Sequence, residues 1–92
     1  MKIALQQTEI AAEKGEVPVG AVLVTEDGQL FASHNAPISL HDASAHAEMR
    51  VIRDACEAVG NYRLTGSALY VTLEPCTMCA GAIVHARIAR VV

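Results

Sequence analysis

Tryptophan is absent, and the aromatic residues come to Phe31, Tyr62 and Tyr70. That is too few for a stacking platform that reads single-stranded nucleic acid. Basic charge is short as well: seven Lys and Arg against ten Asp and Glu give a net charge of −3. No diffuse basic field exists to hold nucleic acid by counterion release, so any RNA contact must come from a local patch. Three cysteines are too few for the disulfide framework of a small secreted domain. No apolar run approaches the roughly 18 residues that span a bilayer. The N-terminal stretch Met1-Lys2-Ile3-Ala4-Leu5-Gln6-Gln7 turns polar too soon for a signal peptide. These absences predict a cytoplasmic chain with no membrane partner.

What remains is a chain of 92 residues, 52% apolar and 18% charged, which excludes a disordered segment and leaves room for one domain. Ile3 and Ile10, with Ala4 and Ala11, recur seven apart, so residues 1–14 read as an amphipathic helix ended by Gly15 and Pro18. Val19 to Val24 is a continuous apolar run, the pattern of a strand covered on both faces. Asp27-Gly28 then predicts a hairpin into a partner strand over 29–35. A loop is expected from Ala36 to Ser44, with Ser44 capping a helix that runs to about Val59 on a stripe of Ile52, Ala55, Cys56 and Val59. Leu69 to Leu73 reads as a third strand, Pro75 as the first residue of a third helix, and Arg87 to Val92 as the start of a fourth strand. The order predicts an α/β fold: a mixed sheet with helices on both faces, closing with a parallel strand–helix–strand unit. Ending in bare strand sequence at Ile88-Ala89-Arg90-Val91-Val92, the domain over 1–92 is expected to be incomplete on its C-terminal side.

Two short motifs carry the chemistry. His46-Ala47-Glu48 and Pro75-Cys76-Thr77-Met78-Cys79 each open a helix just past a strand or the loop leaving it. Ligands of α/β sheets bind in the crevice at the strands' carboxyl ends. Cysteines three apart on a helix share a face, and the positive end of the helix biases both thiols toward the metal-binding thiolate. Two thiolates and an imidazole make three protein ligands, the number typical of catalytic zinc, which keeps its fourth position for water. Glu48, two residues from His46, is placed to serve that water without ligating the metal.

Either motif alone is weak; the pair, in this order, is the established signature of zinc-dependent nucleobase deaminases. The sequence resembles bacterial tRNA-specific adenosine deaminases of the TadA type, within the cytidine-deaminase-like three-layer α/β/α fold. Carrying the likeness are Glu16 to Val24, Asn35-Ala36-Pro37-Ile38, Ala45 to Glu48, Gly60-Asn61-Tyr62-Arg63-Leu64, and Leu69 through Val92. The resemblance implies that His46, Cys76 and Cys79 bind Zn²⁺ and that Glu48 shuttles protons. It implies that Asn35 hydrogen-bonds the target base, that the Ala47 backbone amide touches it, and that Val17 and Pro37 help wall the pocket. It further implies action on the wobble adenosine of a tRNA anticodon stem-loop by a homodimer, and a family that continues past the fourth strand.

Other residues read more plainly. Cys56 falls on an apolar stripe and is expected to be core packing; His34, His41 and His85 have no partner motif; Met49 and Met78 are expected to pack, with a dimer contact as the alternative; Arg63, Arg87 and Arg90 are expected to be solvated. Three rival readings remain open at this level. A deaminase of free bases or nucleotides shares the same zinc chemistry. A thioredoxin-like CxxC module needs a proline facing the dithiol from later in the chain, yet Pro18, Pro37 and Pro75 all precede Cys76. A closed structural zinc site needs a fourth protein ligand, and His85 is the best leftover, far round the helix.

Overall fold

A computed structural model describes residues 1–92. The elements are α1 (Lys2–Glu13), β1 (Gly20–Val24), β2 (Leu30–His34), α2 (Pro37–Leu40), α3 (Ala47–Val59), β3 (Ala68–Val71), α4 (Thr77–His85) and β4 (Arg90–Val91). The four strands form one sheet in the order β2-β1-β3-β4. β1 runs antiparallel to both β2 and β3, and β3 and β4 are parallel. The hairpin forms where expected: Gly28, at a φ of +90°, takes the backbone region open to glycine, and the Gln29 amide donates to the Thr25 hydroxyl at 2.9 Å.

Alternation along β1 explains why its sequence is apolar without interruption. Ala21 and Leu23, both fully buried, join Ala47, Val51, Ile52 and Ala55 of α3 with Leu69 and Val71 of β3 in the main core. The opposite face of β1 meets α1, which packs on β1 and β2. α4 lies beside α3, so the sheet has helices on both sides, as the element order predicts. No helix is long and apolar enough to cross a membrane.

Gly20 is where α1 and the sheet come closest. A Cβ there would sit 1.9 Å from the Ala4 carbonyl oxygen and 2.7 Å from the Thr8 amide nitrogen, both backbone atoms that cannot swing away. The approach is held by Thr72, whose hydroxyl accepts from the Gly20 amide and from the Thr8 hydroxyl, each at 3.0 Å. Gly20→Ala is therefore expected to cost about 3 kcal/mol, the upper end of overpacking penalties. Urea unfolding of the full-length variant checks this, and a shift under about 1 kcal/mol would show that α1 yields freely.

Four sequence expectations need correction. The loop from Ala36 to Ser44 contains a single helical turn, α2, with Pro37 in its first turn where the missing N–H costs nothing. Ser44 does not cap α3: its amide and hydroxyl both donate to Asp42, at 2.9 and 2.7 Å, in a local turn, and His46 is the N-cap. Pro75 stands one residue before the N-cap of α4, because Cys76 is extended and helical backbone begins at Thr77. The buried stripe of α3 is Ala47, Glu48, Val51, Ile52 and Ala55, while Val59 is 46% exposed. The helix covers the sheet with its first three turns and leaves it with the last.

Candidate active site and metal centre

Two helix starts converge at one end of the sheet, beyond the carboxyl ends of β2 and β3. His46 and Cys76 are the N-caps of α3 and α4, each with extended backbone, and Cys79 lies in the first turn of α4. The His46 Nδ1 atom is 3.5 Å from the Cys76 Sγ and 3.5 Å from the Cys79 Sγ, and the two sulfurs are 3.6 Å apart. A tetrahedron with Zn–S of about 2.3 Å and Zn–N of about 2.0–2.1 Å has S···S edges of ~3.8 Å and S···N edges of ~3.5 Å. The three donors thus already stand at the corners of a zinc site. They are the one cluster of three or more His, Cys, Asp or Glu side chains with metal-ligand spacing. His85, the leftover for a closed site, is not among them.

The thiols do not share one tendency, against expectation. Backbone N–H groups of Cys79 and Met78 at the start of α4 face the exposed Cys76 and hold its thiol below the ordinary value. Cys79 is fully buried, and burial, the nearby Glu48 charge and the Cys76 sulfur push its thiol well above. Desolvation and like charge outweigh the helix dipole one turn deeper into the protein. Two sulfurs and a carboxylate packed this closely call for a divalent cation, which reverses that balance. Cys56 is half-buried on the core side of α3, with its thiol raised by burial and facing the Tyr62 carbonyl at 3.5 Å, in keeping with packing.

Beside the ligands is a cavity of about 210 Å³ lined by Val17, Val19, Asn35, Glu48, Leu73 and Glu74, with His46 and Cys76 forming its metal side. Pockets for drug-sized ligands run to about 300–1,000 Å³, so this one suits a single heterocyclic base. Glu48 is 4% exposed and opens on the cavity, and its carboxylate is not one of the clustered donor atoms. Asn35 is 7% exposed, at the end of β2. Its Oδ1 accepts from the Ala47 amide at 3.2 Å. That bond fixes which way the carboxamide points and leaves its NH₂ as the free donor. The Ala47 amide, expected at the base, is spent on Asn35. Val17, 60% exposed, lines the cavity, whereas Pro37 begins α2 and does not. Val19, Leu73 and Glu74 went unnoticed in the sequence, where nothing but their position beside strand ends marks them. A larger cleft of about 520 Å³ at the hairpin end, around Asp27, Asn61 and Arg63, contains no ligand cluster.

A family profile described as the cytidine and deoxycytidylate deaminase zinc-binding region matches residues 1–92. The chain belongs to this deaminase family. Its zinc-binding character and the His46, Cys76 and Cys79 triangle agree, which removes the redox-module reading. Among curated relatives of this chain, the tRNA-specific adenosine deaminase of Agrobacterium fabrum is 56% identical over 90 residues, 98% of this chain and 59% of its own length. That of Bacillus subtilis is 52% identical over 92 residues, all of this chain and 57% of the relative. The chain therefore spans a little under three-fifths of the length of these relatives. A solved structure from work on A-to-I editing by tRNA:A34 deaminases superposes with a TM-score of 0.94 at 56% identity, covering 99% of this chain and 66% of that one. Guanine deaminase from Bacillus subtilis superposes at 0.91 with 39% identity, covering 98% and 58%.

Proposed function

We propose that residues 1–92 form the zinc-binding part of one deaminase domain that hydrolyses adenosine to inosine at the wobble position of a tRNA anticodon. The single observation that carries the chemistry is the donor triangle, with edges of 3.5, 3.5 and 3.6 Å, beside a base-sized cavity that also receives Glu48. Adenosine in tRNA, in preference to a free base, is supported by the higher identity to the tRNA-specific relatives than to guanine deaminase. An anticodon loop presents its adenine already unpaired, which lowers the cost of placing it in a small cavity.

His46, Cys76 and Cys79 would hold a zinc ion, which would supply the Lewis acidity that eases deprotonation of water at neutral pH. Glu48 moves the protons. Its carboxylate takes one from the incoming water and passes it to the ring nitrogen beside the amine-bearing carbon, which makes that carbon electrophilic. It then takes the proton of the newly added hydroxyl and gives it to the departing amine, so ammonia leaves and inosine remains. One carboxylate serves as base and acid because it changes state within the cycle. The free NH₂ of Asn35 donates to an acceptor of the ring, Ala47 acts by orienting Asn35, and Val17 walls the cavity. Pro37 contributes from behind, by starting α2.

The partners are the tRNA anticodon stem-loop and a second copy of the chain, in the cytoplasm where that substrate is made and used. α4 supports the homodimer: it buries Cys79 alone, while its apolar Met78 and Val84 are 39% and 69% exposed. The full-length protein incubated with an adenosine-containing anticodon stem-loop, free adenosine, cytidine and guanine in parallel tests the substrate. Inosine formed from the stem-loop with the highest kcat/KM is the expected result. Ammonia released from guanine or cytidine alone would move the chain to the free-base deaminases.

A further inference from the structure

One carboxylate beside the site has no part in that mechanism. Glu16 is 5% exposed, in the segment that joins α1 to β1, although glutamates are seldom buried without a partner. Its partner is not a cation, since the sole ion pair of the structure joins Arg53 to Asp42. Its oxygens instead accept three hydrogen bonds from α2: the Ile38 amide at 3.2 Å, the Ser39 amide at 2.7 Å and the Ser39 hydroxyl at 2.6 Å. Charge-assisted bonds of this kind are about twice as strong as neutral ones. The donors also hold the Glu16 carboxyl below its ordinary pKa, with the Ser39 hydroxyl contributing most.

Apart from Glu16, α2 is tied by backbone bonds at its ends, the Ala36 amide donating to the Ala45 carbonyl at 2.9 Å and the Asp42 amide to the Pro37 carbonyl at 3.0 Å. None of its residues is buried, and Ile38 and Leu40 are 69% and 52% exposed. Hydrophobic packing therefore cannot set its position. Yet α2 lies in the connection between two residues of the site, Asn35 before it and His46 after it. On the other side of the clamp, Val17 and Val19 follow Glu16 directly and line the cavity. One side chain ties together the two segments between which the ring must enter.

We infer that Glu16 is a positioning residue for base recognition: by clamping α2 to the Val17–Val19 segment it sets the placement of Asn35 and the width of the cavity mouth. This rests on the deaminase reading, and the test separates the two. Full-length, zinc-loaded wild type, Glu16→Ala, Glu16→Gln and Ser39→Ala are compared on the adenosine stem-loop, with amide hydrogen exchange followed over residues 36–41. Glu16→Ala is expected to raise KM about tenfold while kcat changes less than about threefold, with zinc content unchanged. Glu16→Gln, which keeps one acceptor oxygen, falls between it and wild type, and Ser39→Ala shifts KM in the same direction by less. Exchange over 36–41 accelerates in Glu16→Ala and not in α3. An unchanged KM, a fall in kcat alone, or exchange at the wild-type rate overturns the inference. If Glu16→Ala does not fold, Ser39→Ala decides by the same criteria. Wild type that releases no ammonia from the stem-loop refutes the tRNA adenosine reading, and the exchange measurement still judges the clamp.

Discussion

Glu48→Ala in the full-length protein is expected to keep its zinc and its fold while losing about 10²–10⁴ in deamination rate, the usual worth of a positioned general acid–base. The separation of effects follows from where the carboxylate sits. Glu48 opens on the cavity and is not one of the three clustered donors, so its removal takes no ligand from the metal. It is 4% exposed, with Ala47 and Val51 of the core on the same stretch of α3, and replacing a buried acid by a methyl group does not call for new burial of charge. Zinc per chain by elemental analysis, circular dichroism and an ammonia assay together measure the three quantities. Turnover within about tenfold of wild type would take Glu48 out of the reaction.

Cys79→Ala should have the opposite profile, losing metal first and activity as a consequence. Cys79 is the ligand at the bottom of the site, fully buried, with its sulfur in contact with both other donors. Its removal leaves one imidazole and one exposed thiol, too few to retain zinc through dialysis. Zinc content is expected to fall from about one per chain to a small fraction of that, with activity at background. The unfolding midpoint falls too, because a ligand that binds only the folded state no longer stabilises it. A dialysed Cys79→Ala protein with full zinc content would overturn the ligand assignment. Glu48→Ala and Cys79→Ala thus distinguish loss of a proton carrier from loss of the centre it serves.

The donors of the site were legible because both motifs are local in sequence. A CxxC at a helix start and an HxE at another constrain their own geometry, and only the meeting of the two helices has to be supplied by the fold. The strands were legible for the same reason: Val19 to Val24 and Asp27-Gly28 state their burial and their turn within ten residues. What stayed hidden depends on partners far along the chain. Nothing in Ser44 says that Asp42 takes its hydroxyl, so the cap of α3 shifts to His46. Nothing near Ala47 says that its amide is spent on Asn35, twelve residues earlier. Nothing beside Glu16 says that Ser39, twenty-three residues on, donates to its carboxylate. Desolvation of Cys79 is equally non-local, which is why a helix-end argument gave the wrong tendency for its thiol.

The spacing of the donors has a last consequence for how the chain is knit together. Two come from the start of one element, but the imidazole is 30 residues upstream of the nearer sulfur. A bound ion is therefore a staple across that stretch, restricting the unfolded chain as a cross-link does, and more effectively than the short CxxC loop alone could. Its benefit falls unevenly. The hairpin and the first helix contain no donor and rest on their own packing, whereas the junction of the third and fourth helices borrows rigidity from the ion, so demetallation loosens that junction first.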